Sequence, residues 1–373
     1  MKKFTLSILL TLAAATATAT TPVQRAKPIT NPDGSQATTL LVCGGTYVSA
    51  VQPDLIPEGE DYQQGIIWDF DARDVAFKLG LGKDAMDHLD DCKPIDGNTR
   101  ILATSSHNWA LIVTYDRKRT VEFWTAKCNN AHSAEVLPGN LVVVACATPT
   151  NQIQLYDRSQ SNEVLQSIEH PDVHGVVWNE KRRRLYAIGK QELGIYRLEG
   201  ADTPQLVKEA TVKTPQSSCH DLSTVDENTL CVSGRSSYFF DIDTQKFTEL
   251  TQFNGRRAIK SVNYNPTTNE AWYTDATDPE GSYSWSTQTV HHTPDPMGKT
   301  DDYTFRTNNY NLYKVRVLYW GGEQAAGVEA VANDRTDTPA EYYNLQGIPV
   351  ANPSSGGIYL RRQGNTTDKV LIP

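Results

Sequence analysis

Six nitrogen-bearing side chains recur along this chain at nearly even intervals: Lys93, His132, His174, His220, Lys260 and Lys314. Successive spacings from Lys93 to Lys260 are 39, 42, 46 and 40 residues. Brought together, with Arg316 on the face of Lys314, they could do one of two kinds of chemistry. Ammonium, guanidinium and imidazole groups would focus positive potential and hold a carboxylate, sulfate or phosphate. Crowded among cations, the imidazoles would stay neutral until an anion arrived. Alternatively His132, His174 and His220 would ligate a divalent metal, because three neutral imidazoles with an open position match a catalytic zinc site. A third reading gives the histidines only a structural role, stapling neighbouring elements through backbone hydrogen bonds. Packing alone does not select six such residues, since lysine is almost never buried unpaired.

The elements that must position them repeat as well. A short apolar, β-branched run follows each of the first five candidates: "RILATSS" (100–106), "LVVVACA" (141–147), "RLYAIGK" (184–190), "TLCVSGR" (229–235) and "EAWYTDA" (270–276). A second and a third strand-like run come after most of these, joined by turn residues such as Asp116-Arg117, Asp157-Arg158 and Asp243-Thr244. A unit of 40–45 residues with four strands is a propeller blade, whose first strand lines a central channel. The run "LLVCGG" (40–45) has no opening strand before it, and "NLYKVRVLYW" (311–320) has no strands of its own after it. The sequence therefore predicts an all-β, six-bladed β-propeller closed by a C-terminal strand that joins the first blade; seven blades would need an unseen repeat. The propeller is expected over 38–322, a linker over 323–340 and a small β appendage over 341–373. A short helix is expected within 72–89. Residues 277–308, polar and aromatic, read as an insertion in the last blade that carries His291 and His292 and could act as a lid with Tyr283, Trp285 and Tyr303.

With 373 residues, 39% hydrophobic and 21% charged, the chain has the composition of a folded globular protein. Its net charge of -9 argues against a nucleic-acid partner. Residues 1–19, two lysines before a short apolar run and then small residues, read as a secretory signal peptide. No segment reaches transmembrane length. An exported location follows: periplasm, cell surface or medium. The six cysteines read as buried thiols, because Cys43, Cys146 and Cys231 sit inside apolar runs.

In order and spacing, "DCKP", "AHSAEVLPGN", "HGVVWNEKRRRLYAIG", "CHDLS", "IKSVNYNPTTNE" and "LYKVRVLYW" resemble a secreted propeller family of unknown function found mainly in Bacteroidetes. The resemblance covers about residues 38–320. The tail "EYYNLQGIPVANPSSGGIYLRRQG" is similar to C-terminal sorting tails of exported Bacteroidetes proteins. This resemblance implies the fold and brings no activity. Three functions are consistent with the residues: binding of a small or polymeric anionic ligand, a glycan being the main candidate, in the channel; polysaccharide cleavage by a lyase or hydrolase using the channel His/Lys groups, with a divalent metal as the one cofactor considered; or a non-catalytic protein-interaction scaffold.

Overall fold

The computed structural model describes residues 26–322 apart from 32–33, 83, 117–120, 161, 254–255, 278–284, 299 and 308–309, and, further on, 341–343, 350, 358–363 and 366–371. The signal-peptide segment and the linker expected over 323–340 lie outside the described residues. Two compact units are present, Met1–Gln324 and Ala325–Pro373.

The first unit is a six-bladed β-propeller of six four-stranded antiparallel sheets. Blades 2 to 6 run in chain order, from inner to outer strand. Their inner strands are Leu89–Ile95, Ala131–Leu137, Gly175–Asn179, Asp221–Thr224 and Ile259–Asn265. Blade 1 is composite: Leu312–Tyr319 pairs with Thr39–Gly44, which continues to Tyr47–Val51 and Ile66–Asp71. The closing strand thus removes the edge that an open ring would expose.

Local sequence explains the strands. The second strand of each blade is packed on both faces, so Leu141–Cys146 is buried at every residue and shows no polar alternation. Tight connections fall where the backbone turns left-handed, as at Asp96, Gly97 and Asn98 between the first two strands of blade 2. The core is a circle of six apolar clusters, each shared by neighbouring sheets. Val143 and Leu155 of blade 3, for example, pack with Val176 and Leu185 of blade 4. Inner strands approach closely at Gly175, where a Cβ would meet the Leu222 amide nitrogen at 2.6 Å.

Residues 73–78 form the expected short helix. The expected insertion needs correcting. Thr289–Thr293 and Tyr303–Arg306 are the third and fourth strands of blade 6, and His291 and His292 lie in the former. The outermost strand, Tyr303–Arg306, is short and partly solvated, and Thr289–Thr293 is polar although four of its five residues are buried, so neither shows an apolar run. In the second unit, Glu341–Tyr343, Ile358–Gln363 and Thr366–Leu371 form an antiparallel three-stranded sheet.

Candidate functional site

A bulge repeated in every inner strand aims the channel residues. In blades 2, 3 and 6 one extra residue interrupts the pairing with the second strand: Asp90, His132 and Lys260. In blade 4 both His174 and Gly175 oppose Ile188, and in blade 5 both His220 and Asp221 oppose Ser233. In blade 1, Tyr313 and Lys314 stand opposite the single residue Cys43. A bulged residue leaves the ladder and its side chain is re-aimed; here it turns toward the ring axis. Four blades also place a left-handed residue two positions earlier: His88, Asn130, Asp172 and Ser218.

The three histidines do meet. Ring centroids of His132 and His174 are 4.4 Å apart, and those of His174 and His220 are 5.3 Å apart. Tyr313, missed in the sequence reading, stands edge-on to His132 at 5.5 Å and His220 at 6.3 Å. The Lys260 ammonium lies 3.1 Å from His220 Nε2 and 5.2 Å from the centre of the Tyr313 ring. Trp285, anticipated on a lid, sits 6.4 Å from Tyr313.

Hydrogen bonds fix the tautomers. His132 Nδ1 is 3.1 Å from the Asn130 carbonyl and His174 Nδ1 is 2.7 Å from the Asp172 carbonyl. A carbonyl only accepts, so each Nδ1 carries a proton and each Nε2 keeps its lone pair in the neutral ring. Burial holds all three imidazoles neutral, helped at His132 by His174 and Lys314 and at His220 by Lys260. For His174 burial outweighs the nearby Asp172 and brings the pKa down to about 4. Burial also lowers Lys260 to about 8.

Beneath this layer the expected positive ring is cancelled. Lys314, fully buried, donates to the carbonyl oxygens of His132 (3.1 Å) and His174 (2.7 Å) and lies 3.2 Å from Asp221 Oδ1. Arg316 makes paired hydrogen bonds at 2.7–2.8 Å to both Asp91 and Asp221. Burial alone would raise the Asp91 pKa, but Arg316 and Lys314 hold it well below the usual carboxylate range.

Lys93 is not part of the imidazole layer. It lies three residues further along the inner strand, where it donates to the Val176 carbonyl and pairs with Glu135 at 3.2 Å. With Arg316 and Asn263 it lines a cavity of about 280 Å³ away from the histidines. Each residue advances the chain roughly 3.3 Å, which separates the two levels by about 10 Å. The register equivalent of the histidines in blade 2 is Asp90. The signal was available: Asp90 stands 42 residues before His132, the same interval as His132 to His174.

Among the described residues Lys260 is the one channel cation with no carboxylate within 4.0 Å. Its contact with His220 also works against a three-histidine metal cage, because an ammonium already occupies the lone pair of one ligand.

Burial raises Asp90 to about 8. A carboxyl that is neutral in the fold supports stability fully below its unfolded pKa of about 3.9, and that support fades as pH climbs through 8. Asp90→Asn is therefore expected to leave the melting temperature nearly unchanged at pH 4 and to raise it at pH 9. Thermal melts at the two pH values check this, and an equal shift at both would contradict it.

No curated protein matches the chain. Among solved structures, a chain described as Kuenenia stuttgartiensis Hydrazine Synthase is similar at 14% identity and a TM-score of 0.42, over 50% of this chain and 55% of that one. The chain thus spans about half the length of the solved chain it matches, and the likeness carries no argument about chemistry. A family model described as "Family of unknown function (DUF6528)" matches residues 2–277.

Proposed function

Because the chain belongs to the family of unknown function DUF6528, kinship brings no activity with it, and we propose from the geometry that the imidazole end of the channel binds a carboxylate-bearing ligand, an acidic sugar or oligosaccharide. The observation that carries this reading is Lys260: among the described residues it is the channel cation with no carboxylate within 4.0 Å, and it contacts His220 in the layer that also holds His132 and His174, whose Nδ1 atoms are the ones bound to carbonyls. Lys260 would take the ligand carboxylate. The Nε2 atoms of His132 and His174 would accept from ligand hydroxyls, and the exposed Trp285 offers an aromatic face to a sugar ring. Lys93, Lys314 and Arg316 would not touch the ligand but hold the blades that present the site. The leader-like N-terminus supports work outside the cytoplasm.

Titration of the full-length protein with galacturonate and glucuronate oligomers tests the reading. Binding is expected for these, at least tenfold weaker for the uncharged glucose and galactose oligomers, and lost in Lys260→Met. Equal affinity for charged and neutral sugars, or no binding of either, would overturn it. Affinity should fall as pH rises through about 8, where Lys260 loses its proton.

A second reading, cleavage of an acidic polysaccharide, draws on the same residues. Lys260, His220 and Tyr313 form a hydrogen-bonded row, with Tyr313 Oη 3.3 Å from His220 Nδ1. A lysine near pH 8 in such a row is suited to take a proton. Shortening of the oligomers on incubation, abolished by Lys260→Met, would favour this reading over simple binding.

A further inference from the structure

Beside Trp285, and outside the ring of bulged residues, Asp87, His88 and His107 converge. His88 occupies the left-handed position (φ 52°) that other blades fill with Asn130, Asp172 and Ser218. Asparagine and aspartate tolerate this conformation because their short side chains bond locally; an imidazole is the unusual occupant. Its ring centroid lies 4.3 Å from that of His107 and 5.8 Å from that of Trp285. His88 Nδ1 is 3.5 Å from Asp87 Oδ2, while Asp87 Oδ1 accepts the His88 amide at 2.8 Å. His107 Nδ1 donates to the Asp84 carbonyl at 3.0 Å. One ligand atom from each of the three half-buried residues lies within 4.8 Å of the other two.

We propose that Asp87, His88 and His107 bind a divalent transition-metal ion of the zinc type. Two imidazoles and one carboxylate are a borderline donor set suited to such ions. The Asp84 carbonyl is the kind of outer contact that fixes the orientation and tautomer of a ligating imidazole. In a tetrahedral zinc site ligand atoms stand roughly 3.3 Å apart, and small side-chain rotations close the remaining gap. Three protein ligands leave a coordination position open for water or a ligand oxygen. The site is independent of the anionic-ligand reading, since neither needs the other.

The test uses full-length, metal-stripped protein, free of any histidine tag, titrated with zinc chloride alone and cobalt chloride alone. One ion per chain is expected, with the visible absorption of four- or five-coordinate cobalt. Asp87→Asn and His107→Gln are each expected to weaken zinc binding at least tenfold, while a His132→Gln/His174→Gln variant keeps it unchanged. If either single variant melts early, His88→Asn replaces it, because Asn130 fills the matching position of blade 3. Absence of binding, binding that survives the substitutions, or loss of binding in the channel variant would each overturn the proposal.

Discussion

Arg316→Met is expected to destabilise the propeller by about 3–5 kcal/mol, the range seen when one partner of a buried ion pair is removed. Arg316 is 4% exposed and satisfies four carboxylate oxygens contributed by two non-adjacent blades. Methionine fills similar space without neutralising Asp91 and Asp221, which would keep Lys314 and, at Asp91, the Ser133 hydroxyl at 2.7 Å and the Cys92 amide at 2.9 Å. Chemical denaturation at pH 7 measures the effect. Adding Asp91→Asn alone should recover much of the loss, because Lys314 then faces a single carboxylate, Asp221 at 3.2 Å, and the penalty belongs to uncompensated charge more than to lost packing. The pH dependence has a definite sign. The folded pKa of Asp91 is depressed, so its contribution is complete above the unfolded value of about 3.9 and disappears only as pH falls through the lower folded value. The gap between wild type and Arg316→Met should therefore persist at pH 5 and narrow in stronger acid. A gap below 1 kcal/mol at pH 7 would show that the network does not hold the blades together.

The second large effect concerns closure. A chain ending at Tyr310 is expected not to form the propeller, whereas one ending at Gln324 should melt as the full chain does. The strand Leu312–Tyr319 contributes four buried apolar side chains, Leu312, Tyr313, Val315 and Leu318. At about 1.5–3 kcal/mol each, their burial alone is comparable to the whole stability of a typical domain, about 5–15 kcal/mol. The same strand supplies Lys314 and Arg316, so its removal strands Asp91 and Asp221 and opens the edge of Thr39–Gly44. Circular dichroism and limited proteolysis of the two truncated chains decide the matter, and a folded chain ending at Tyr310 would refute the argument.

Much of this architecture was legible because blade construction is local. Each inner strand, its hairpin partner and their turn lie within a few tens of residues, and the blade period exposes them. The composite first blade could be read from one strand lacking an opener and another lacking followers. The channel was legible only in part. His132, His174, His220 and Lys260 open their strands and were found by position. Lys93 was misplaced by three residues because the other strand openers are nitrogen-bearing, whereas the register equivalent in blade 2 is a carboxylic acid, Asp90. Pairing was harder still. Arg316 is separated by 225 residues from Asp91 and by 95 from Asp221, so no spacing rule could show that the cations at the centre are already matched. His291 and His292 were assigned to a loop because Thr289–Thr293 is polar in composition although four of its five residues are buried, so it shows no apolar run.

The bulge shared by all six inner strands has an evolutionary consequence. A residue ejected from the ladder is largely relieved of pairing duty, so its identity can drift while the sheet stays intact. Asp, His, Lys and Tyr already share this role within one molecule. Diversification of such a scaffold can proceed one blade at a time, with recognition rewritten at six separate addresses and the supporting frame inherited unchanged.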